Sequence, residues 1–505
     1  MKRLFTKSLA LAITLSMVSM VLPFSSIALT QLTSNVLTET APQIDSTGKA
    51  VWTARDGSTD NDTEVFYWNG SAVVQLTSNS TEDDSPVISN GVVAWVGTDS
   101  GAVDGIDQEI WYNSTGVATG NTKLTNDLAG EARADMEPVI TTNSAGEKVV
   151  AWSRYDGTDF EIYYSKNGGT ATALTADATG AGSDNDDGSV QAAGNYIIYL
   201  KSTTADGGIT YRDDVYLSNN LVAPTAPLVS NNSSSIDENS PVVDSSGKAA
   251  WLSGITEATS GTDPSKEVWF YNGTGAVQIT SNGVTEESLG IDGGQLTWQT
   301  WDGNDYEIYY NGTGTAAGTK KITNNGVNDL GPVISSTSPG KIIFYGYRQP
   351  ANVNEPDWEI LLYDAASSTT YQVTDDLENQ VSPDINGSKV AWLGFDGGDY
   401  EVYTDSITTS SVSLRAASRY RIVKKGRGTI LLGTLKNGSG KRLANKKVKI
   451  KSGKKLIATV TTNKKGEFKK TLKRLTKTQS YKAYFEGSGT VLKSSSKSAR
   501  VKVKR

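Results

Sequence analysis

Four short segments of this chain set three carboxylates in the pattern Asp-Gly-x-Asp-x-Glu. They are Asp104/Asp107/Glu109, Asp156/Asp159/Glu161, Asp302/Asp305/Glu307 and Asp396/Asp399/Glu401. On an extended strand the last two acids of each set lie two residues apart and share a face. Clustered carboxylates beside a turn carbonyl suit Ca2+, a hard cation that takes roughly six to eight oxygens. Ca2+ is the one cofactor the pattern admits, although no segment fits the EF-hand loop. Asp-Gly is also the preferred tip of a tight hairpin, so plain turn structure competes with the metal. A facing carboxylate pair is also the equipment of glycoside cleavage.

A second set of acids recurs three residues ahead of a proline or its equivalent position. It comprises Glu39, Asp83, Asp135, Asp186, Glu238, Glu286 and Asp329, with Gln380 in the eighth place. A ring of such groups at a channel mouth would focus negative potential and draw cations. The competing role is to bond N–H groups of their own turns. The chain has no His and no Cys. That excludes disulfides, thiolate or imidazole metal sites, thiol nucleophiles and Ser-His-Asp triads. Any catalysis would fall to carboxylates, Tyr, Lys or Arg, and no specific catalytic motif is present.

Positive charge is concentrated at the other end. Residues 411–505 hold 29 of the 48 Lys and Arg but 2 of the 55 Asp and Glu, a local net of +27 against −34 for the rest. Such a split suggests different partners for the two parts. The densest lysines are Lys446, Lys447, Lys449, Lys451, Lys454, Lys455, Lys464, Lys465, Lys469 and Lys470. Aromatics are sparse among them, so the expected ligand is an anionic polymer bound without sequence reading, not a specific nucleic acid.

The elements that must position these groups repeat. Gln31-Leu32-Thr33, Gln75-Leu76-Thr77, Lys123-Leu124-Thr125, Ala173-Leu174-Thr175, Leu228-Val229-Ser230, Gln278-Ile279-Thr280, Lys321-Ile322-Thr323 and Gln372-Val373-Thr374 recur 43–55 residues apart. Each is followed by an acidic loop, a strand around Pro, a strand like Val390-Ala391-Trp392, a turn, and a strand like Tyr306-Glu307-Ile308-Tyr309-Tyr310. Short strands at this period predict an all-β fold, an eight-bladed β-propeller, with seven blades the alternative if the fourth unit is distorted. Trp52, Trp95, Trp152, Tyr199, Trp251, Trp298, Phe344 and Trp392 fall once per unit, where packing between neighbouring blades requires a large side chain. The last unit lacks its own Leu-Thr strand, so the first such strand is expected to complete it and close the ring.

Residues 1–28 read as a signal peptide: Lys2, Arg3 and Lys7 precede an apolar run, and Ser26-Ile27-Ala28 offers a cleavage site. No other segment is apolar enough to cross a bilayer, so no span is expected in the mature chain. Residues 29–407 form the expected propeller and 408–418 a linker. Residues 419–505, with period-two alternation such as Lys447-Val448-Lys449-Ile450-Lys451, form the expected basic β-sandwich.

The repeat resembles the TolB-like propeller repeats over about residues 29–406. The C-terminal segments "GTLKNGSGKRLANKKVKI" and "TTNKKGEFKKTL" resemble the Ig-like modules of bacterial surface proteins. The first resemblance implies a binding scaffold, a peptidase accessory domain or a lyase. The second implies a spacer or adhesive unit. Propeller lyases of this kind depend on His and metal, which disfavours that chemistry here. The expectation is a secreted, cell-surface-associated binding or scaffold protein and not an enzyme. Its propeller would present a face to a protein or glycan, and its basic module would hold an anionic envelope polymer. The alternatives are a polysaccharide-degrading enzyme using carboxylates and a self-associating envelope protein.

Overall fold

The computed structural model describes residues 29–55, 62–98, 108–126, 134–155, 159–176, 186–205, 210–222, 236–255, 265–335, 340–348, 357–417 and 421–504. The expected leader lies outside them, as do Asp104, Asp107, Asp156 and the fifth Leu-Thr-like strand at Leu228-Val229-Ser230. No helix of the described residues is long and apolar enough to cross a membrane.

Among the described residues eight antiparallel sheets follow one another along the chain, seven of four strands and the fourth of three. Blade 3 shows the plan: Asp135–Thr142, Lys148–Tyr155, Phe160–Lys166 and Thr172–Ala173 pair in chain order. The first strands of successive blades touch in sequence, and Gln43–Ile44 of blade 1 meets Gln380–Asn386 of blade 8, so the ring is closed. Closure uses the N-terminal strand. Thr30 and Gln31 pair with Thr404 and Tyr403 as the fourth strand of blade 8. Val402 N–H donates to Thr33 Oγ1 at 2.8 Å across a sequence separation of 369. The seven-bladed alternative falls, because the fourth unit keeps its own sheet without the Pro.

The innermost strand is a free edge toward the axis, where Pro can lack an N–H without breaking a ladder. Each of these strands from blade 2 to blade 8 carries a β-bulge just past its first residues. The bulge puts Ser85, Glu137, Ser189, Ser240, Ser288 and Ser382 at positive φ, and blade 7 uses Gly331 there.

The once-per-unit aromatics are buried, and seven of the eight stack on the residue paired with them on the third strand. The pairs include Trp95–Trp111 at 6.3 Å, Trp251–Trp269 at 6.5 Å and Trp298–Tyr309 at 5.8 Å. Phe344 faces Leu361 instead. Such stacked pairs contribute about 0.5–1.5 kcal/mol each beyond the area they bury.

The expected linker is not one. Ser410–Ala416 is a strand paired along its length with Thr429–Asn437. Its Val412, Leu414 and Ala416 enter the C-terminal core, which is why the chain needs no spacer there. That core lies between a three-stranded sheet (Ser410–Ala416, Thr429–Asn437, Glu467–Leu472) and a larger sheet. The larger sheet contains Ile422–Lys424, Ala499–Lys504, Gln479–Phe485, Lys447–Ser452 and Lys455–Thr461. The sandwich is docked on the propeller. Thr408 exchanges backbone bonds with Thr490 and Leu492, and Thr490 Oγ1 donates to Asp405 at 2.7 Å. Lys493 Nζ reaches Ser367 O at 3.1 Å and Thr369 Oγ1 at 2.5 Å, and Leu492 packs into the core of blades 7 and 8.

Candidate functional site

The acids ahead of the prolines do not rim an open channel. Glu39, Asp83, Asp135, Glu238, Glu286 and Asp329 are all no more than 3% exposed. In blade 4 the equivalent residue is Asp187, not Asp186: Asp187 opens the strand and is fully buried, while Asp186 is exposed. The axial cavity, about 600 Å3, is lined further along the same strands by Val87, Pro138, Val190, Pro241 and Leu289 among others.

The buried acids cement the blades. Among the described residues the Thr of each Leu-Thr strand accepts the N–H that follows the third-strand acid, as in Ile308 N–H to Thr323 Oγ1 at 2.8 Å and Ile360 N–H to Thr374 Oγ1 at 2.8 Å. Two residues later an Asn bridges two acids. Asn325 N–H donates to Glu307 at 2.6 Å while its amide donates to Asp329 at 2.7 Å. Asn35, Asn79 and Asn282 repeat this with Glu401 and Glu39, Glu64 and Asp83, and Glu267 and Glu286. The indole N–H of Trp95, Trp152 and Trp392 completes the link by donating to Asp83, Asp135 and Gln380. This Asn is the residue that sequence reading missed. Its spacing, two after the Thr and four before the acid, was the available signal.

Burial raises the pKa of several of these acids. Glu286 is pushed up to about 8 by desolvation; the Asn282 amide opposes the rise and the neighbouring Glu267 adds to it. Burial likewise lifts Glu39 and Glu64 to about 7. Because the folded value is the higher one, the folded state holds protons that the unfolded chain has released. The stabilisation is complete below pH 4.5 and is lost as pH rises toward about 8. Glu286→Gln is therefore expected to flatten the fall in unfolding free energy over that window. Urea titrations at several pH values check it, and an unaltered slope would refute the proton held at Glu286.

The Asp-Gly-x-Asp-x-Glu hairpins divide. Asp302, Asp305 and Glu307 converge, as do Asp396, Asp399 and Glu401, each set offering oxygens within 4.8 Å of one another. Their first Asp also makes the turn: Asp302 Oδ1 accepts from Asn304 N–H at 2.9 Å and Asp396 Oδ1 from Gly398 N–H at 2.9 Å. In blade 6 a cation is built in. Lys321 Nζ lies 2.6 Å from Asp302 and 3.6 Å from Glu307, and this contact lowers Asp302 to about pKa 2. Glu109 is met by Lys123 at 2.9 Å. Buried Asp159 and Glu161 form no three-acid group among the described residues.

The lysines of the sandwich segregate by face. Lys447, Lys449 and Lys451 alternate with buried Val448 and Ile450 and point outward. Lys451 pairs with Lys482, and Ser480 pairs with Arg500. Lys502 and Lys504 continue the same parity, and Lys424 pairs with Lys504. Eight cations thus share one sheet face, spaced about 6.7 Å along strands that lie about 4.8 Å apart. One acid, Glu486, stands 3.5 Å from Lys449. Lys451 Nζ also sits 5.1 Å over the Tyr484 ring. Lys454 and Lys464–Lys465 lie in turns instead, Lys455 opens its strand opposite Ser452, and Lys469 is on the opposite sheet. Lys470 shares the inward parity of Phe468, and half-buried Lys446 donates to Ser488 Oγ at 3.1 Å. Lys482, Arg500, Lys502, Lys504 and Lys424 were missed because only strand pairing joins such distant segments.

No protein-family model matches this chain, and no curated protein matches it. Among solved structures it is similar to the β-propeller domain of the trilobed protease from Pyrococcus furiosus, at 10% identity and TM-score 0.42 over 68% of this chain and 99% of that one. It is similar to Pyrococcus horikoshii acylaminoacyl peptidase at 10% identity and TM-score 0.44, over 78% of this chain and 61% of that one. It is also similar to a polysaccharide lyase, an ulvan lyase, at 10% identity and TM-score 0.39, over 67% of this chain and 98% of that one. At these values the likeness adds nothing to what strand pairing already establishes: the chain is built on a β-propeller.

Proposed function

We propose that this is an exported binding protein that holds an anionic polymer of the cell envelope on its C-terminal sheet and carries an acidic propeller as its display platform. In this reading the propeller belongs with the TolB-like repeats and the sandwich with Ig-like surface modules. The observation that carries it is the sheet face bearing Lys447, Lys449, Lys451, Lys482, Arg500, Lys502, Lys504 and Lys424. A positive charge of this density exceeds what solubility requires, and it is confined to one flat surface. A flat comb of ammonium and guanidinium groups, whose lone aromatic Tyr484 is already covered by Lys451, suits a repeating anion and not a base.

The test is binding of the full-length mature chain to purified wall teichoic acid across a salt series. The logarithm of affinity is expected to fall linearly with the logarithm of salt concentration, with a slope of roughly four to seven from the participating cations. Equal affinity for a neutral glucan, or indifference to salt, would defeat the reading.

A further inference from the structure

We propose that blade 7 carries a divalent-cation site, suited to Ca2+, formed by Asp357, Glu359 and Asp376. The third strand of this blade, Asp357–Asp364, starts with Asp357 and places Glu359 two residues on, on the same face. Asp376 arrives from the loop after the fourth strand, Thr369–Gln372, and its N–H donates to Glu359 Oε1 at 3.0 Å. Each of the three acids offers an oxygen within 4.8 Å of the others. Oxygens around one Ca2+ at roughly 2.3–2.6 Å can be no more than about 5 Å apart, so a single ion can reach all three.

The second observation is what these acids lack. Asp357 is 7% exposed and Glu359 is fully buried. Both carboxylate oxygens of Asp357 and Oε2 of Glu359 are buried without a hydrogen-bond partner. A buried carboxylate in that state carries a large desolvation cost unless a cation meets it or a proton neutralises it.

Two blades of the repeat place a cation beside the equivalent acids. In blade 6 the residue ahead of Ile322-Thr323 is Lys321, paired with Tyr309, and its ammonium enters the Asp302/Glu307 cluster. In blade 2 the same place is Lys123, paired with Trp111, and its ammonium meets Glu109. In blade 7 the same place is Gln372, paired with Leu361. The nearest basic residues of the blade are committed elsewhere, Arg348 to Asp329 at 2.6 Å and Lys341 to Asp364 at 2.8 Å. Residues 349–356, which precede Asp357 in the chain, include no Lys or Arg. Asp376 is exposed and leaves the cluster open to solvent, so an ion has an entry and waters can complete its shell. Mg2+ fits less well, since it demands a tighter octahedron and gives up water reluctantly.

The test is calorimetric titration of the full-length mature chain with CaCl2, joined to thermal melting with and without Ca2+. The native chain is expected to bind Ca2+ and to melt several degrees higher in its presence. Gln372→Lys places an ammonium where blades 2 and 6 have one. It is expected to bind one Ca2+ fewer per chain and to melt above the native protein when Ca2+ is absent. Glu359→Gln is expected to lose the same single ion. Absence of Ca2+ binding by the native chain would overturn the proposal. So would full retained stoichiometry in Glu359→Gln, which would assign the ion to another cluster such as Asp396/Asp399/Glu401. Should Glu359→Gln fail to fold, Gln372→Lys decides alone: an unchanged ion count in it also overturns the site.

Discussion

Replacing Lys449, Lys451, Lys482, Arg500 and Lys502 together by Gln is expected to weaken binding to an anionic wall polymer by about 10³-fold at physiological salt. The size follows from counterion release. On a single-chain polyanion each cation that makes contact contributes about 0.7 to the salt slope, so five fewer contacts should flatten the slope by roughly three to four. The stability of the sandwich should hardly change, because these side chains point away from Val448, Ile450, Ala483 and Val501 in the core. Neutralising Lys464, Lys465, Lys469 and Lys470 is the matched control. Those four lie in a turn and on the other sheet, and their loss should cost less than tenfold. Retention assays at several ionic strengths separate the two sets. Equal losses from both would mean that net charge, and not the sheet face, does the binding.

Trp152→Ala should destabilise the propeller by about 3–5 kcal/mol. The indole is fully buried, stacks on Tyr163 at 6.3 Å and donates to Asp135 at 2.5 Å. Truncation therefore opens a cavity and removes one partner of a buried carboxylate. Arg154 still grips Asp135 at 2.7 Å, so the acid keeps its charge partner and the cost stays near that of the cavity. Trp152→Phe should cost less, since it keeps a ring against Tyr163. Urea unfolding followed by far-UV circular dichroism measures both. A loss below about 1 kcal/mol in the alanine variant would remove the indole from the forces that hold the blades.

The repeat made the architecture legible. Leu-Thr, Pro, Trp and the acidic hairpin each mark a strand, and the odd strand at Gln31 pointed to the closure seen at Tyr403. The site was read less well because burial is not written in residue type. Asp83 and Glu286 look like surface acids in sequence, yet each lies under an Asn amide between two sheets. In blade 4 the missing Pro left no anchor for counting, and the count stopped one residue short of Asp187. Ser411 and Ser413 disguised a strand as a spacer, although Val412, Leu414 and Ala416 already alternate with them. Asp357 and Glu359 escaped notice because their hairpin lacks the Asp-Gly tip, and Asp376 joins them only through the fold.

Ring closure also sets an order of events in time. Thr33, just past the first strand, and its partner Val402 are 369 residues apart, so at ordinary rates of synthesis the hairpin it must join is made about 20 to 70 s after it. Until then blade 8 has no fourth strand, and the first strand must wait without pairing to anything else. Its brevity, two paired residues at Thr30 and Gln31, makes it a poor template for foreign strands during that delay.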